Sequence, residues 1–350
     1  MQYSRLGSSN IKISRVCLGT MTWGEQNTQQ DADSQLDFAL DAGVNFIDTA
    51  EMYPVPPAAA TAHKTEEIIG DYLARNPAKR NQLVLATKVA GPGLKWIRGG
   101  QTVDKQAVVD AVEASLKRLK VEAIDLYQIH WPNRTSPHFS RHWPGSYKFT
   151  DTSKDAEIAE MANILEGLQL CIEQGKIKHV GLSDETPWGI HTYLNLAKSL
   201  NLPKMVSIQN EFSALHTKDW PYLIETCVHE DVAYLPWSPL AGGALTGKYI
   251  DGARPKGSRW SMLQRNGLFR DTEQSNQAVV AFVELANQFA MSPAQLALAW
   301  CNHVNGVSST IIGATTLAQL EENIAAFDLT LSSQQLDIIQ QFLKQYPSPF

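Results

Sequence analysis

Short apolar runs alternate with longer stretches of helical spacing along nearly the whole chain. The runs predict strands near 16–19, 44–48, 82–88, 124–130, 178–183, 205–209, 233–237 and 309–312. Several are apolar at successive positions, as strands of a parallel sheet buried on both faces must be. The stretches between them read as helices. In 104–120, Val108, Val112 and Leu119 recur at helical spacing, and Lys117, Arg118 and Lys120 complement the dipole at the carboxyl end. The helix of 155–174 should end at Gly175, a C-cap signal, and run directly into a strand. Thr316-x-x-Gln319 is a capping-box pattern opening the helix after the last strand. This alternation predicts an α/β fold, a (β/α)8 TIM barrel of parallel strands closed on itself.

Three segments stand outside the repeat. Residues 1–15 read as a small hairpin turning at Gly7-Ser8-Ser9-Asn10, suited to plugging the bottom of the barrel. Residues 132–153 form a loop rich in Pro, His and Trp, and residues 250–273 another rich in Arg and Lys. Loops of this length are usually functional or disordered. Nothing resembling a linker, a low-complexity tract or a repeat divides the chain, so residues 1–350 read as a single barrel domain.

Composition narrows the field. The chain of 350 residues is 43% hydrophobic, enough for a large core, and carries 30 basic against 36 acidic residues for a net charge of -6. That balance disfavours nucleic acid as a partner, which selects a basic surface. No apolar run approaches the length of a membrane helix and no signal-peptide core opens the chain, so a cytoplasmic protein is expected. Asn133-Arg134-Thr135 matches a glycosylation acceptor that a cytoplasmic chain does not use. Cys17, Cys171, Cys227 and Cys301 are far apart and read as buried, reduced thiols. His-x-His and His-Glu-x-x-His are absent, which argues against a metal-dependent hydrolase, and no metal ligand set is expected.

The chemistry gathers at strand ends. Asp48, Lys88 and His130 close three apolar runs, and Tyr53 follows the first. Ionisable groups at the carboxyl ends of successive strands are where a barrel places its active site. A phenol beside an ammonium is a proton donor to a carbonyl. Gly43-Val44-Asn45-Phe46-Ile47-Asp48-Thr49-Ala50-Glu51-Met52-Tyr53, Thr87-Lys88 and Gln128-Ile129-His130-Trp131 resemble the signatures of the aldo-keto reductase family. The resemblance continues in order through Gly181-Leu182-Ser183, Gln209-Asn210, Trp237-Ser238-Pro239-Leu240, Thr246-Gly247-Lys248-Tyr249 and Ile312-Gly313-Ala314-Thr315.

The resemblance implies roles. Tyr53 would be the general acid, Lys88 the cation that lowers its pKa, Asp48 the partner of Lys88, and His130 a neutral donor orienting the substrate. An unperturbed tyrosine has a pKa of about 10, and a cation within about 4–6 Å lowers it. It also implies NADP(H) lying across the barrel mouth. Thr20, Asp48, Ser183, Asp184 and Gln209 would surround the nicotinamide, with Trp237 covering its face. Ser238, Pro239, Leu240 and Gly242 would line the pyrophosphate. Lys248 and Arg259 would close over the phosphates, within a cationic loop that also holds Arg254, Lys256, Arg265 and Arg270. Gly313, Thr315, Gln319, Glu322 and Asn323 would hold the adenosine end, where a helix amino terminus favours a 2′-phosphate. Asp184 departs from the pattern, since the family usually has Asn there. No Gly-x-Gly-x-x-Gly is present, and Gly242 to Lys248 spells Gly-x-x-x-x-Gly-Lys but is followed by Tyr249, so neither a Rossmann site nor a Walker loop is read.

A small-molecule carbonyl is the expected substrate, in a pocket bounded by Trp23, Tyr53 and Trp131, with Phe139, Trp143 and Tyr147 nearby. Aromatic walls suit an apolar or aryl aldehyde. The rival reading is a redox-sensing NADP(H)-binding module with little turnover, since some proteins of this kind resemble potassium-channel β subunits. No protein partner is evident in the sequence.

Overall fold

A computed structural model describes residues 1–146, 153–262 and 268–350; Tyr147 and Arg265 lie outside them. Eight strands form one parallel sheet: β3 (Val16–Gly19), β4 (Phe46–Asp48), β5 (Val84–Val89), β6 (Ile124–Ile129), β7 (Ile177–Ser183), β8 (Met205–Gln209), β9 (Ala233–Tyr234) and β10 (Thr310–Ile312). Their order in the sheet is β10-β3-β4-β5-β6-β7-β8-β9. The two end strands meet through the Ser308 amide on the Tyr234 carbonyl, 2.9 Å, and the Ile311 amide on the Pro236 carbonyl, 2.9 Å. The architecture is α/β and consistent with a (β/α)8 barrel. β9 is shorter than the predicted 233–237 because Pro236 has no amide to give the ladder. Pairing resumes beyond it, with the Trp237 amide on the Asn210 carbonyl.

The predicted hairpin is β1 (Tyr3–Arg5) with β2 (Lys12–Ser14), antiparallel. Leu6 and Ile13 have no exposed surface and pack with Phe46, Val84, Leu126 and Val206 from the barrel interior. The hairpin thus closes the amino-terminal end and leaves the carboxyl end for chemistry.

Helices cover the outside. α1 (Lys105–Leu119) buries Val108, Val112 and Leu119 and is capped by the Asp104 carboxylate on the Ala107 amide. α2 (Lys154–Glu173) ends before Gly175, whose φ of +72° is the left-handed C-cap conformation that glycine accepts without strain. At α3 (Leu317–Ala325) the expected capping box forms by half. The Thr316 hydroxyl accepts from the Gln319 amide, but the Gln319 side chain turns back to the amide and hydroxyl of Thr315, at 3.0 Å each. All four cysteines are buried and free. Among the described residues, no helix is long and apolar enough to cross a membrane.

Candidate active site

Register puts the polar residues side by side. In the parallel ladders Gly19 pairs with Asp48, Lys88 with Gln128, and Ser183 with Gln209. Lys88 has no exposed surface and Asp48 is 2% exposed. The Lys88 ammonium donates to Asp48 Oδ2 at 2.6 Å and to the Thr49 carbonyl at 2.8 Å. Asp48 Oδ1 accepts from the amide nitrogens of Gln209 at 2.9 Å and Gln128 at 3.1 Å. A buried ammonium is tolerated only when paired and hydrogen-bonded, and both conditions are met. Burial opposes its charge, but Asp48 and Tyr53 outweigh that and hold the Lys88 pKa above its ordinary value.

Tyr53 and His130 gather over this ammonium. Lys88 Nζ lies 5.0 Å from the Tyr53 ring centroid. The Tyr53 and His130 rings meet edge to face at 5.6 Å, and His130 lies 4.8 Å from Trp131. Tyr53, His130 and Trp131 are each partly exposed, so the group opens at the barrel mouth. Burial pushes the Tyr53 phenol above its ordinary pKa; Lys88 pulls it down and Asp48 pushes it up. The expected lowering by Lys88 is therefore present but outweighed by desolvation. Burial, and then Lys88, hold His130 well below its ordinary pKa, so the imidazole is neutral. Its Nδ1 is buried without a hydrogen-bond partner.

The other expected residues lie on the same face. Thr20, 0% exposed, donates to the Asp48 carbonyl. Ser183 and Gln209 end their strands, and Asp184 follows with φ +52°, a left-handed conformation that Asn and Asp tolerate best after Gly. Its Oδ1 accepts from the Trp237 indole at 3.1 Å. His138 Nδ1 lies 3.6 Å from the same oxygen. Burial holds His138 down to about 3, so this contact is not an ion pair near neutrality. Phe139 stacks on Trp237 at 5.6 Å, bringing the loop after β6 across the mouth. Ser238, Ala241, Gly242 and Gly243 all have positive φ and coil the loop after β9. At the end of β10, Gly313 is exposed, and Asn323 donates to its carbonyl at 3.2 Å. Glu322 accepts from the Ser292 hydroxyl.

Trp23 has no exposed surface and gives its indole N–H to Gln35 at 3.0 Å. In the loop rich in Arg and Lys, two of the described side chains have acidic partners. Arg270 is 5% exposed and bonds Glu211, and Arg254 pairs with Asp271. Lys248 is exposed, its ammonium 5.3 Å from the Tyr249 ring centroid. Gln128 was not anticipated. Its signal is alternation: it stands two residues before His130 in β6, a polar side chain inside an apolar run.

A barrel with a buried Lys–Asp pair under a partly exposed tyrosine and a neutral histidine defines a class of oxidoreductase. The pattern of the aldo/keto reductase family matches residues 15–344, and the chain belongs to that family. It is 40% identical to Protein tas of Escherichia coli (strain K12) over 352 residues, covering 100% of this chain and 99% of that protein. It is 29% identical to a probable voltage-gated potassium channel subunit beta of Arabidopsis thaliana, covering 99% of this chain and 98% of that one. The uncharacterized oxidoreductase YrpG of Bacillus subtilis (strain 168) is 28% identical across 100% of this chain and 97% of its own.

Proposed function

We propose that the protein is an NADPH-dependent reductase of aldehydes or ketones in which Tyr53 is the general acid. The observation that carries this reading is the Lys88 ammonium, buried against Asp48 and 5.0 Å from the Tyr53 ring centroid. Lys88 draws the phenol's pKa down against the opposing effect of burial, the direction that eases proton donation near neutrality. As that proton leaves for the carbonyl oxygen, Lys88 stabilises the phenolate left behind. His130, neutral and edge to face with Tyr53, orients the carbonyl beside it. Tyr53 and Trp131 bound a pocket suited to an apolar carbonyl.

NADPH, when bound, supplies the hydride. The carboxyl-end residues fit such a group. Gly313 has open space where a side chain would stand, and the nearest atoms to a Cβ on Gly242 would be 3.7 Å away. Thr20, Asp48, Ser183, Asp184, Gln209 and Trp237 are the proposed surroundings of the nicotinamide, one face of Trp237 being covered by Phe139. Ser238, Pro239, Leu240, Gly242, Lys248 and Arg259 would hold the phosphates. Gly313, Thr315, Gln319, Glu322 and Asn323 would hold the adenosine end. Residues 1–350 are read as one domain.

The test is NADPH oxidation across aliphatic, aromatic and keto-sugar carbonyls. Turnover of at least one class is expected. Tight NADPH binding with no turnover on any class would instead favour a redox-sensing module, the reading that the likeness to a probable channel β subunit supports.

A further inference from the structure

The turn that carries Tyr53 is tied to β5 by a buried ion pair outside the tetrad. Glu51 is 3% exposed. Its backbone amide donates to the Lys88 carbonyl at 3.0 Å, so Lys88 grips this turn by its main chain as well as by its ammonium on Thr49. One step further, the ladder would need a backbone carbonyl to receive the Ala90 amide. The Glu51 carboxylate takes that place, with Oε2 accepting from Ala90 at 2.9 Å. Arg98 closes the figure. Its guanidinium donates to Glu51 Oε1 with one nitrogen and to the Ala90 carbonyl with the other, 2.7 Å. Both backbone groups of Ala90 are thereby engaged.

The chain bends to bring Arg98 there. Arg98 has φ +45°, and Gly99 and Gly100 follow at +67° and +75°. A left-handed arginine is costly unless its side chain is held, and the fork on Glu51 and Ala90 holds it. Ile97 beside it packs with Ala50, Met52, Val55 and Ala90 under Tyr53 and Trp131. The pair therefore sits beneath the proton donor and one wall of the pocket, joined to both by main chain.

We propose that Arg98, acting through Glu51, is a positioning residue that fixes the Tyr53 hydroxyl against Lys88 and the substrate carbonyl. This rests on the reductase reading above. The charges acting most on the phenol are Lys88, Asp48 and Asp184, so Arg98 and Glu51 work by placement. Displacing a reacting group by about 1 Å costs up to about 100-fold in rate.

The test compares Arg98→Met and Arg98→Lys with wild type. It reads kcat and KM for benzaldehyde, NADPH affinity by fluorescence quenching, and the Tyr53 phenol titration by NMR of ζ-carbon-labelled tyrosine, assigned through Tyr53→Phe. Arg98→Met is expected to lower kcat about 10- to 100-fold, to leave NADPH affinity within about twofold, and to move the phenol pKa upward as Lys88 recedes. Arg98→Lys should recover part of the loss, since one ammonium reaches Glu51 but lacks the fork to Ala90. A folded Arg98→Met with wild-type kcat and titration would overturn the proposal, as would a kcat loss matched by an equal loss of NADPH affinity. Should Arg98→Met fail to fold, the double variant Glu51→Gln/Arg98→Met, which leaves no unpaired charge, carries the same expectation, and wild-type kcat there overturns it. If the wild type reduces no carbonyl, the reductase reading fails. The phenol titration then decides the clamp alone, and an unmoved titration in Arg98→Met overturns it.

Discussion

Asp184 places an acid at a position that burial makes expensive. Asp184 is 3% exposed, and desolvation holds its pKa well above 3.8 despite the indole donor of Trp237. The sign of the consequence follows from proton binding. As pH rises through 3.8 the unfolded chain releases this proton, while the folded protein keeps it. The contribution to stability is complete below that value and is lost as pH rises through the folded pKa. Asp184→Asn keeps an oxygen for the Trp237 indole and has no proton to lose. Relative to wild type it should gain stability as pH rises from about 4 towards 8. Urea melts at three pH values measure this, and a difference that is flat with pH would contradict it. At this scale the reading from sequence was uneven. Asp48, Lys88 and His130 end apolar runs, so alternation puts them at the barrel mouth. Glu51 and Arg98 carry no such mark, because their pairing depends on a loop returning across 47 residues. The bond from the Trp23 indole to Gln35 has no mark in the sequence either.

The elements were more legible than the contacts between them. Each predicted strand has its counterpart, because buried parallel strands need uninterrupted apolar runs and the helices between them do not have these. The ends differ where a single residue intervenes, as Pro236 does in β9. The hairpin was visible in its turn residues, but its docking was not, since that depends on the approach of two backbones. Gly7 makes this approach possible. It has φ +52°, and a Cβ there would stand 2.1 Å from the Val206 carbonyl oxygen. Gly7→Ala must therefore either move the hairpin or push β8, at a cost of about 2 kcal/mol or more. Thermal unfolding should show a clear fall, with kcat at low temperature nearly unchanged because the plug lies at the opposite end from Tyr53. A variant as stable as the wild type would contradict the plug.

For the whole molecule, closure of the sheet decides what the sequence alone cannot. β3 through β9 follow one another in chain order, and β10 returns beside β3. This cyclic order brings Gln209 of β8 and Asp48 of β4, 161 residues apart, within a hydrogen bond. It also brings the loops after β6, β7 and β9 together around Trp237, Asp184 and His138. Folding thus converts residues scattered over the chain into one polar knot at one end of the barrel, with a partly exposed phenol above it. The most direct test of that arrangement is a single-turnover reaction of Tyr53→Phe with NADPH and a carbonyl that the wild type reduces, with NADPH affinity measured in parallel. The phenol hydroxyl as proton donor predicts a rate lower by about 10²–10⁴ with affinity nearly unchanged. A Phe variant that turns over at the wild-type rate would contradict it.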